Sequence, residues 1–240
     1  MNKKKYIVPS IVLTFSAILL VLTLMFTTTF IFCTGFNTFN AERIEKSIPF
    51  SELAYKISPC YSNLRALYDS YNCFRYYSPY DEDGLSYMGD APEDYYKKCA
   101  EYAKLMYEYY SANPTAYKSN QNSNPSFDVA YMSQEHALAS VLSDYMVSIY
   151  LDGQKEEAQR IVNEYVDNLP GDQSMYSLTI MSFSNTVHDI EDDVDYQKWM
   201  VEIEKKITKA YYDATPEAEN KTENFFMRDK EYYKPFDWQE

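Results

Sequence analysis

Apolar residues recur along most of the chain at intervals of three and four, the spacing of one face of an α-helix. No stretch shows the sustained alternation of apolar and polar residues that predicts a β-strand. The pattern predicts six helices, at residues 58–78, 92–111, 133–152, 155–168, 173–187 and 196–213, with one or two short helices between 40 and 57. We therefore expect an all-α fold, built as an irregular stack of antiparallel helical hairpins.

The first hydrophobic run, residues 7–32, contains no charged residue and is rich in Leu, Val, Ile and Phe. About 20 such residues are enough to cross a bilayer as a helix. Lysines occupy positions 3–5, and the next basic residue is Arg43, so the positive-inside rule predicts a cytoplasmic N-terminus. A cleaved signal peptide is disfavoured, because the run is too long and bulky Phe32 precedes Cys33. We expect a single-pass signal-anchor in the cell membrane with an extracytoplasmic C-terminal domain.

The predicted organisation has five parts. They are a basic cytoplasmic stub at 1–6, the transmembrane helix at 7–32, a juxtamembrane segment at 33–57, an α-helical domain at 58–213 and a charged tail with aromatic residues at 214–240. A domain of this size is long enough to bury a substantial core.

Charge narrows the range of partners. All 36 acidic residues and 19 of the 22 basic ones follow position 32, which gives that part of the chain a formal charge of −17. Nucleic acid is disfavoured as a partner, because phosphate binding requires clustered Lys and Arg. Such an acidic surface favours solubility and is compatible with binding basic partners or divalent cations.

The two helices at 133–152 and 155–168 are separated by a single glycine turn. Small residues stand at that turn, Gly153, and in the following helix, Ala158, while Pro170 ends the pair. Over about residues 139–170 this spacing resembles a tetratricopeptide repeat, in which two helices cross closely at a small residue. The resemblance implies a degenerate scaffold that binds a protein or a peptide, and it transfers no site residues. We expect Ala158 at the helix crossing and Gly153 at the helix end.

Candidate chemistry is sparse. The weak candidates for metal ligands, His188, Asp189, Asp192 and Asp193, lie in one acidic stretch that also suits the N-terminus of the following helix. An acidic turn at 81–84 is a similar candidate for calcium. Phosphate loops, dinucleotide fingerprints, G-x-S-x-G and H-E-x-x-H motifs are absent from the sequence, and no cofactor is expected.

Tyrosine is unusually frequent, with 26 residues that often stand in pairs. On a helix one ring of a pair can face the core while its neighbour points about 100° away. Exposed aromatic rings favour binding sites for proteins and glycans, although tyrosine could simply replace leucine in a polar-edged core. We expect a membrane-anchored helical scaffold that binds a protein or peptide partner, with glycan binding also compatible. The alternatives are an extracytoplasmic enzyme acting on cell-wall or glycan material and a purely structural component.

A disulfide is predicted between Cys73 and Cys99. An oxidising exterior would favour pairing, and these residues lie about equally far from the centre of the loop that joins their helices. Cys60 is about 20 Å from Cys73 along the same helix, too far for a bond. The alternative is three free thiols in a reducing compartment.

Overall fold

The computed structural model describes residues 9–23, 41–76, 94–116, 133–168 and 174–214 of the chain. All regular structure within these residues is helical, which confirms the predicted all-α class. The helices are α1 (9–23), α2 (Ala41–Ile57), α3 (Tyr61–Tyr76), α4 (Tyr95–Ala112), α5 (Gln134–Leu151), α6 (Lys155–Asp167), α7 (Ser174–Ile190) and α8 (Val194–Ala214).

The predicted membrane anchor at 7–32 is wrong. Of the helices in the described ranges, none combines the length and the apolar character that a membrane crossing requires. The predicted single-pass localisation, with a cytoplasmic N-terminus and an extracytoplasmic domain, is therefore corrected as well. Residues 24–32 lie outside the described part of the chain.

The chain divides into two compact units, residues 1–92 and residues 93–240. The first contains α1 to α3, and the second contains α4 to α8. The predicted domain boundary at residue 58 falls between α2 and α3, inside the first unit. The five predicted parts of the chain stay a prediction, and the tail at 215–240 lies outside the described residues.

In the first unit, α2 packs against α3. The buried positions of α2 recur at helical spacing and are Ile44, Ser47, Ser51 and Ala54. The side chain of Asn63 closes the turn between the helices by donating to the carbonyl oxygens of Ala54, at 3.2 Å, and Ser58, at 2.9 Å. The hydroxyl of Tyr71 donates to the carboxylate of Glu52 at 2.7 Å. Polar contacts thus supplement the packing of this small interface.

The segment between 40 and 57 forms one helix of 17 residues rather than one or two short ones. Pro49 lies inside it and removes one backbone hydrogen bond. The buried positions continue at helical spacing on both sides of Pro49. Packing against α3 therefore outweighs the local cost of the proline.

In the second unit, α5 is the central helix and packs against α4, α6 and α7. It has two acidic residues and no lysine or arginine, so nearly all of its sides can be buried. The fully or almost fully buried side chains of this core include Met146, Val147, Ile149, Ile180, Phe183, Met200 and Ile203. Burying a side chain of this size stabilises the fold by roughly 1.5–3 kcal/mol. The core holds α4, α5 and α6 in fixed positions around the groove described below.

Both ends of α5 are capped. The Ser133 hydroxyl accepts a hydrogen bond from the backbone N–H of His136 at 3.2 Å. Gly153 has φ +80°, and its N–H donates to the carbonyl oxygen of Tyr150 at 3.0 Å. The next N–H donates to the carbonyl oxygen of Ile149 at 3.1 Å, so the two bonds close a Schellman motif. Glycine suits this left-handed position because it has no Cβ to clash with the backbone.

Candidate functional site

A groove of about 700 Å³ opens between α4, α5 and α6 in the second unit. Its volume lies in the range typical of ligand sites. The lining side chains are Lys104, Tyr107, Glu108, Leu142, Tyr145, Glu157, Arg160, Ile161, Glu164, Tyr165 and Asn168. Apolar and aromatic side chains thus share the groove with a set of charged ones.

Each of the three helices contributes one tyrosine to the groove: Tyr107 from α4, Tyr145 from α5 and Tyr165 from α6. All three are half-buried and pack against the main core. Burial raises the pKa of Tyr145, and the charge of Glu157 raises it further, so this phenol stays neutral at ordinary pH. The groove therefore presents uncharged ring surfaces that the core holds in place.

A charged cluster on α6 forms part of the lining. The Arg160 guanidinium donates two hydrogen bonds to the carboxylate of Glu157, both at 2.7 Å, and one to Glu164 at 2.8 Å. The spacing of three and four residues places these side chains on one helix face. The hydrogen bond from Arg160 holds the pKa of Glu157 below its usual value. The single guanidinium thus pairs with two carboxylates.

α4 contributes the remaining two charges, Lys104 and Glu108. The positive charge of Lys104 helps to lower the pKa of Glu157, while the negative charge of Glu108 helps to raise the pKa of Tyr145. Glu108 forms no hydrogen bond or ion pair with any other residue that the structure describes. The groove is therefore lined by three carboxylates and two basic groups, and Glu108 is the exposed carboxylate with no partner among the described residues.

A second polar cluster is centred on Glu191, whose side chain is almost completely enclosed. The side chain of Glu191 is 1% exposed and pairs with the Lys155 ammonium at 2.7 Å. It also accepts a hydrogen bond from the Tyr150 hydroxyl at 2.7 Å and one from the backbone N–H of Asp193 at 3.0 Å. Burial alone would raise the pKa of Glu191, but the three donors together lower it. This cluster joins the ends of α5 and α7 to the start of α6.

Aromatic rings surround the same cation. The Lys155 ammonium lies 5.8 Å from the ring centres of both Tyr150 and Tyr196. Tyr196 contacts Trp199 edge-on, with ring centres 4.9 Å apart. The indole N–H of Trp199 donates to the Asn163 side chain at 3.2 Å. The cluster is a structural clamp between helices, since its polar groups are occupied by one another.

A serine, a histidine and a glutamate meet between α7 and α8, but they do not form a catalytic triad. The Ser184 hydroxyl and the His188 Nε2 both contact the same oxygen, Oε1 of Glu204, with the histidine at 3.2 Å. In a triad the serine would instead face the imidazole. The side chains of His188 and Glu204 are 6% and 1% exposed. The arrangement binds two helices together and leaves little room for a substrate.

The four weak metal candidates are not brought together as a group in what the structure describes. His188 contacts Glu204, and the Asp193 carboxylate accepts hydrogen bonds from the backbone N–H groups of Asp195 and Tyr196 at the start of α8. Asp192 is exposed, and the side chain of Asp189 lies outside the described ones. The described residues contain no group of three His, Cys, Asp or Glu that could hold a metal ion. The metal site stays a prediction, as does the calcium candidate at 81–84, which lies outside the described ranges.

The remaining predicted residues are only partly described. Cys99 is buried in α4 and Cys60 is exposed, whereas the side chain of Cys73 lies outside the described ones. The disulfide therefore stays a prediction, without its argument from an oxidising exterior. Ala158 is fully buried in the main core, but its role at the helix crossing is untested, and Pro170 lies outside the described residues.

Sequence reasoning missed the groove, although its parts were visible. The spacing of Glu157, Arg160 and Glu164 predicts an ion-paired helix face, which marks one wall. Nothing in the sequence separates Tyr107, Tyr145 and Tyr165 from the other 23 tyrosines, because their meeting depends on how three helices pack. The same holds for Glu191 and Lys155, which are 36 positions apart.

Comparison with known proteins finds no relative of this chain. No protein-family model, curated protein or solved structure matches it.

Proposed function

We propose that the second unit is a scaffold that binds a peptide segment of a partner protein in the groove between α4, α5 and α6. One observation carries the proposal: three half-buried tyrosines, from three helices that follow one another along the chain, line a single groove. Tyrosine rings offer a large contact area and a polar edge, and they lose little side-chain entropy on binding. Leu142 and Ile161 add apolar surface to the same lining.

The groove is held in shape before any ligand arrives. The three rings pack against the core on one side, and Arg160 is hydrogen-bonded to Glu157 and Glu164. A site that is already ordered loses less conformational entropy on binding, which favours affinity. This rigidity supports binding of an extended or helical segment without rearrangement of the helices.

We also propose that α5 and α6 form a degenerate tetratricopeptide-like hairpin that presents this groove. The turn at Gly153 is short and capped, and Ala158 is fully buried close after it. Gln134 at the start of α5 donates to the carbonyl oxygen of Tyr110 near the end of α4 at 3.0 Å, which places those two helix ends side by side. Successive helices with adjoining ends are the arrangement that such scaffolds use to bind peptides.

The charged groups of the groove favour binding over glycoside hydrolysis, the enzymatic alternative. A glycosidase needs one carboxylic acid that stays protonated, with a raised pKa, opposite a second carboxylate. Here Glu157 and Glu164 share Arg160, and the pKa of Glu157 is lowered. No observation in the described residues favours the hydrolase.

A displayed-peptide selection tests the proposal. The full chain is immobilised and exposed to a phage library of random dodecapeptides, and the enriched peptides are compared between the wild type, Tyr107→Ala and Tyr109→Ala. Tyr107 lines the groove, whereas Tyr109 lies on the same helix, is also half-buried and is not part of the lining. We expect Tyr107→Ala to lose the enriched peptides and Tyr109→Ala to retain them.

Circular dichroism on both variants checks that they fold. If Tyr107→Ala unfolds, Glu164→Ala serves instead, because this exposed side chain lines the groove without contributing to the core. Peptides that bind all variants equally, or a selection that enriches nothing, would overturn the proposal.

A further inference from the structure

The charges of this molecule are divided unevenly. The first unit has eight acidic and eight basic residues, so its formal charge is zero. The second has 28 acidic and 14 basic residues, a formal charge of −14, and therefore carries the net charge of the whole chain. A ligand that approaches the second unit meets a negative field that favours cations.

Within the groove, the preference for cations depends on particular side chains. Of its three carboxylates, Glu157 and Glu164 share the guanidinium of Arg160. Glu108 faces the same groove with no partner among the described residues, and its charge acts on Tyr145. The other positive charge of the lining is Lys104, which lies four residues before Glu108 on α4. Its charge helps to lower the pKa of Glu157 on α6.

The aromatic lining points in the same direction. The face of a tyrosine ring is negative, and it attracts ammonium and guanidinium groups within about 6 Å. The protein already uses this contact elsewhere, where Lys155 lies 5.8 Å from two tyrosine rings. In the groove, Tyr107 and Tyr145 share the lining with Glu108. The charge of Arg160 also acts on Tyr145, but among the described side chains no cation lies over either ring.

We propose that the bound segment is basic, and that a lysine or arginine of the partner lies against Glu108 and the rings of Tyr107 and Tyr145. Apolar side chains beside this residue then contact Leu142 and Ile161. The inference rests on the proposed peptide-binding function and specifies the partner's chemistry: a basic, partly apolar segment rather than an acidic one. An acidic segment would place like charges together, which costs binding free energy.

The test uses the dodecapeptides selected on the wild-type chain and two charge-reversal variants. Glu108→Lys changes the groove. Glu156→Lys makes the same charge change on α6 at an exposed residue that does not line the groove. Neither residue contributes to the buried core, so both variants are expected to fold. Each selected peptide is also made with its basic residues replaced by norleucine.

We expect the selected peptides to be enriched in Lys and Arg. Glu108→Lys should weaken their binding by about tenfold or more. Glu156→Lys should change it by only about twofold, because more distant surface charges are screened in physiological salt. Replacement by norleucine should weaken binding to the wild type and have little effect on binding to Glu108→Lys.

The other outcomes separate the two proposals. Peptides that require Tyr107 but show no excess of basic residues, or that bind Glu108→Lys as well as wild type, would overturn the basic-segment inference and leave peptide binding intact. Equal weakening by Glu108→Lys and Glu156→Lys would also overturn it, since it would show attraction to the general charge alone. A selection with no peptide that depends on Tyr107 would overturn both.

Discussion

The two units of this molecule differ in how many large hydrophobic side chains they expose. Thirteen large hydrophobic side chains are exposed in the described residues, and eleven of them belong to α1 and α2 of the first unit. In the second unit only Met181 and Val194 are exposed, each at 37%. The first unit also has no net charge, whereas the second has −14.

The difference follows from the number of helices that can cover one another. α5 is surrounded by α4, α6 and α7, so a helix with almost no charge can be buried on nearly all sides. In the first unit, α2 buries one face against α3, while Phe50, Leu53 and Ile57 lie on the face left open. A large core can enclose polar clusters and shape a groove, and among the described residues such a core lies in the second unit. The proposed peptide binding is therefore assigned to that unit.

The sharpest test of this contrast is to remove one phenylalanine from each unit. Phe183 is fully buried, with its ring centre 5.8 Å from that of Tyr150 and 6.3 Å from that of Trp199. Phe183→Ala should cost about 3–5 kcal/mol, because it leaves a cavity. Phe50 is 39% exposed, and Phe50→Ala should cost about 1 kcal/mol or less. Chemical denaturation followed by circular dichroism measures both, and equal losses would show that the second unit is not the better packed.

A smaller difference is expected when one ion pair is removed from each unit. Lys155→Met leaves the enclosed carboxylate of Glu191 without its cation and should cost about 2 kcal/mol, less than for a fully buried pair because Lys155 is 45% exposed. Arg65→Met breaks the pair with Asp69, one turn apart on α3, and should cost about 0.5 kcal/mol. If Lys155→Met lowers the free energy of unfolding no more than Arg65→Met does, the Glu191 cluster does not act as a clamp between helices.

The same clamp predicts a pH dependence. In the folded protein the pKa of Glu191 is below its ordinary value of 4.5. The pair of Lys155 and Glu191 therefore stabilises the fold fully above pH 4.5. The contribution is lost as the pH falls from 4.5 through the folded pKa. Glu191→Gln cannot titrate, so its stability should fall less steeply than that of the wild type over that acidic range. Parallel curves of unfolding free energy against pH would show that Glu191 does not contribute in this way.

How far the sequence could predict the structure differs between local and non-local features. The six helices and the glycine that ends α5, Gly153, depend on neighbouring residues, and helical spacing and capping chemistry predict them. The clamp between Lys155 and Glu191 depends on residues far apart in the chain. The anchor was inferred from the composition of a charge-free run of 26 residues, whereas no helix in the described ranges has the length and apolar character of a membrane crossing.

A modest effect is expected at the turn after α5. Gly153→Ala should cost about 1 kcal/mol, because φ is +80° there and a Cβ is disfavoured in that conformation. The space around the position is open, so any cost comes from the left-handed backbone conformation and not from contact with other residues. Gly153→Asn is the matched control and should cost less, since asparagine tolerates left-handed φ. Identical melting temperatures for alanine and asparagine variants would argue against strain at this turn.

The smallest change is expected on the open face of the first unit. Leu53 is 42% exposed, and Leu53→Ser should alter the free energy of unfolding by only about 0.5 kcal/mol while reducing retention on a hydrophobic-interaction column. Leu67→Ser, at a fully buried position of α3, is the control and should be strongly destabilising. A large loss of stability from Leu53→Ser would mean that this face is covered.

Calorimetric titration of a selected dodecapeptide into the full chain tests most directly whether the tyrosine-lined groove binds peptides. We predict that Tyr107→Ala lowers the affinity by about tenfold or more, as expected for an aromatic contact at the centre of an interface. Tyr109→Ala, on the same helix outside the groove, should leave the affinity within about twofold of wild type. Equal affinities for the wild type and both variants would contradict the central claim.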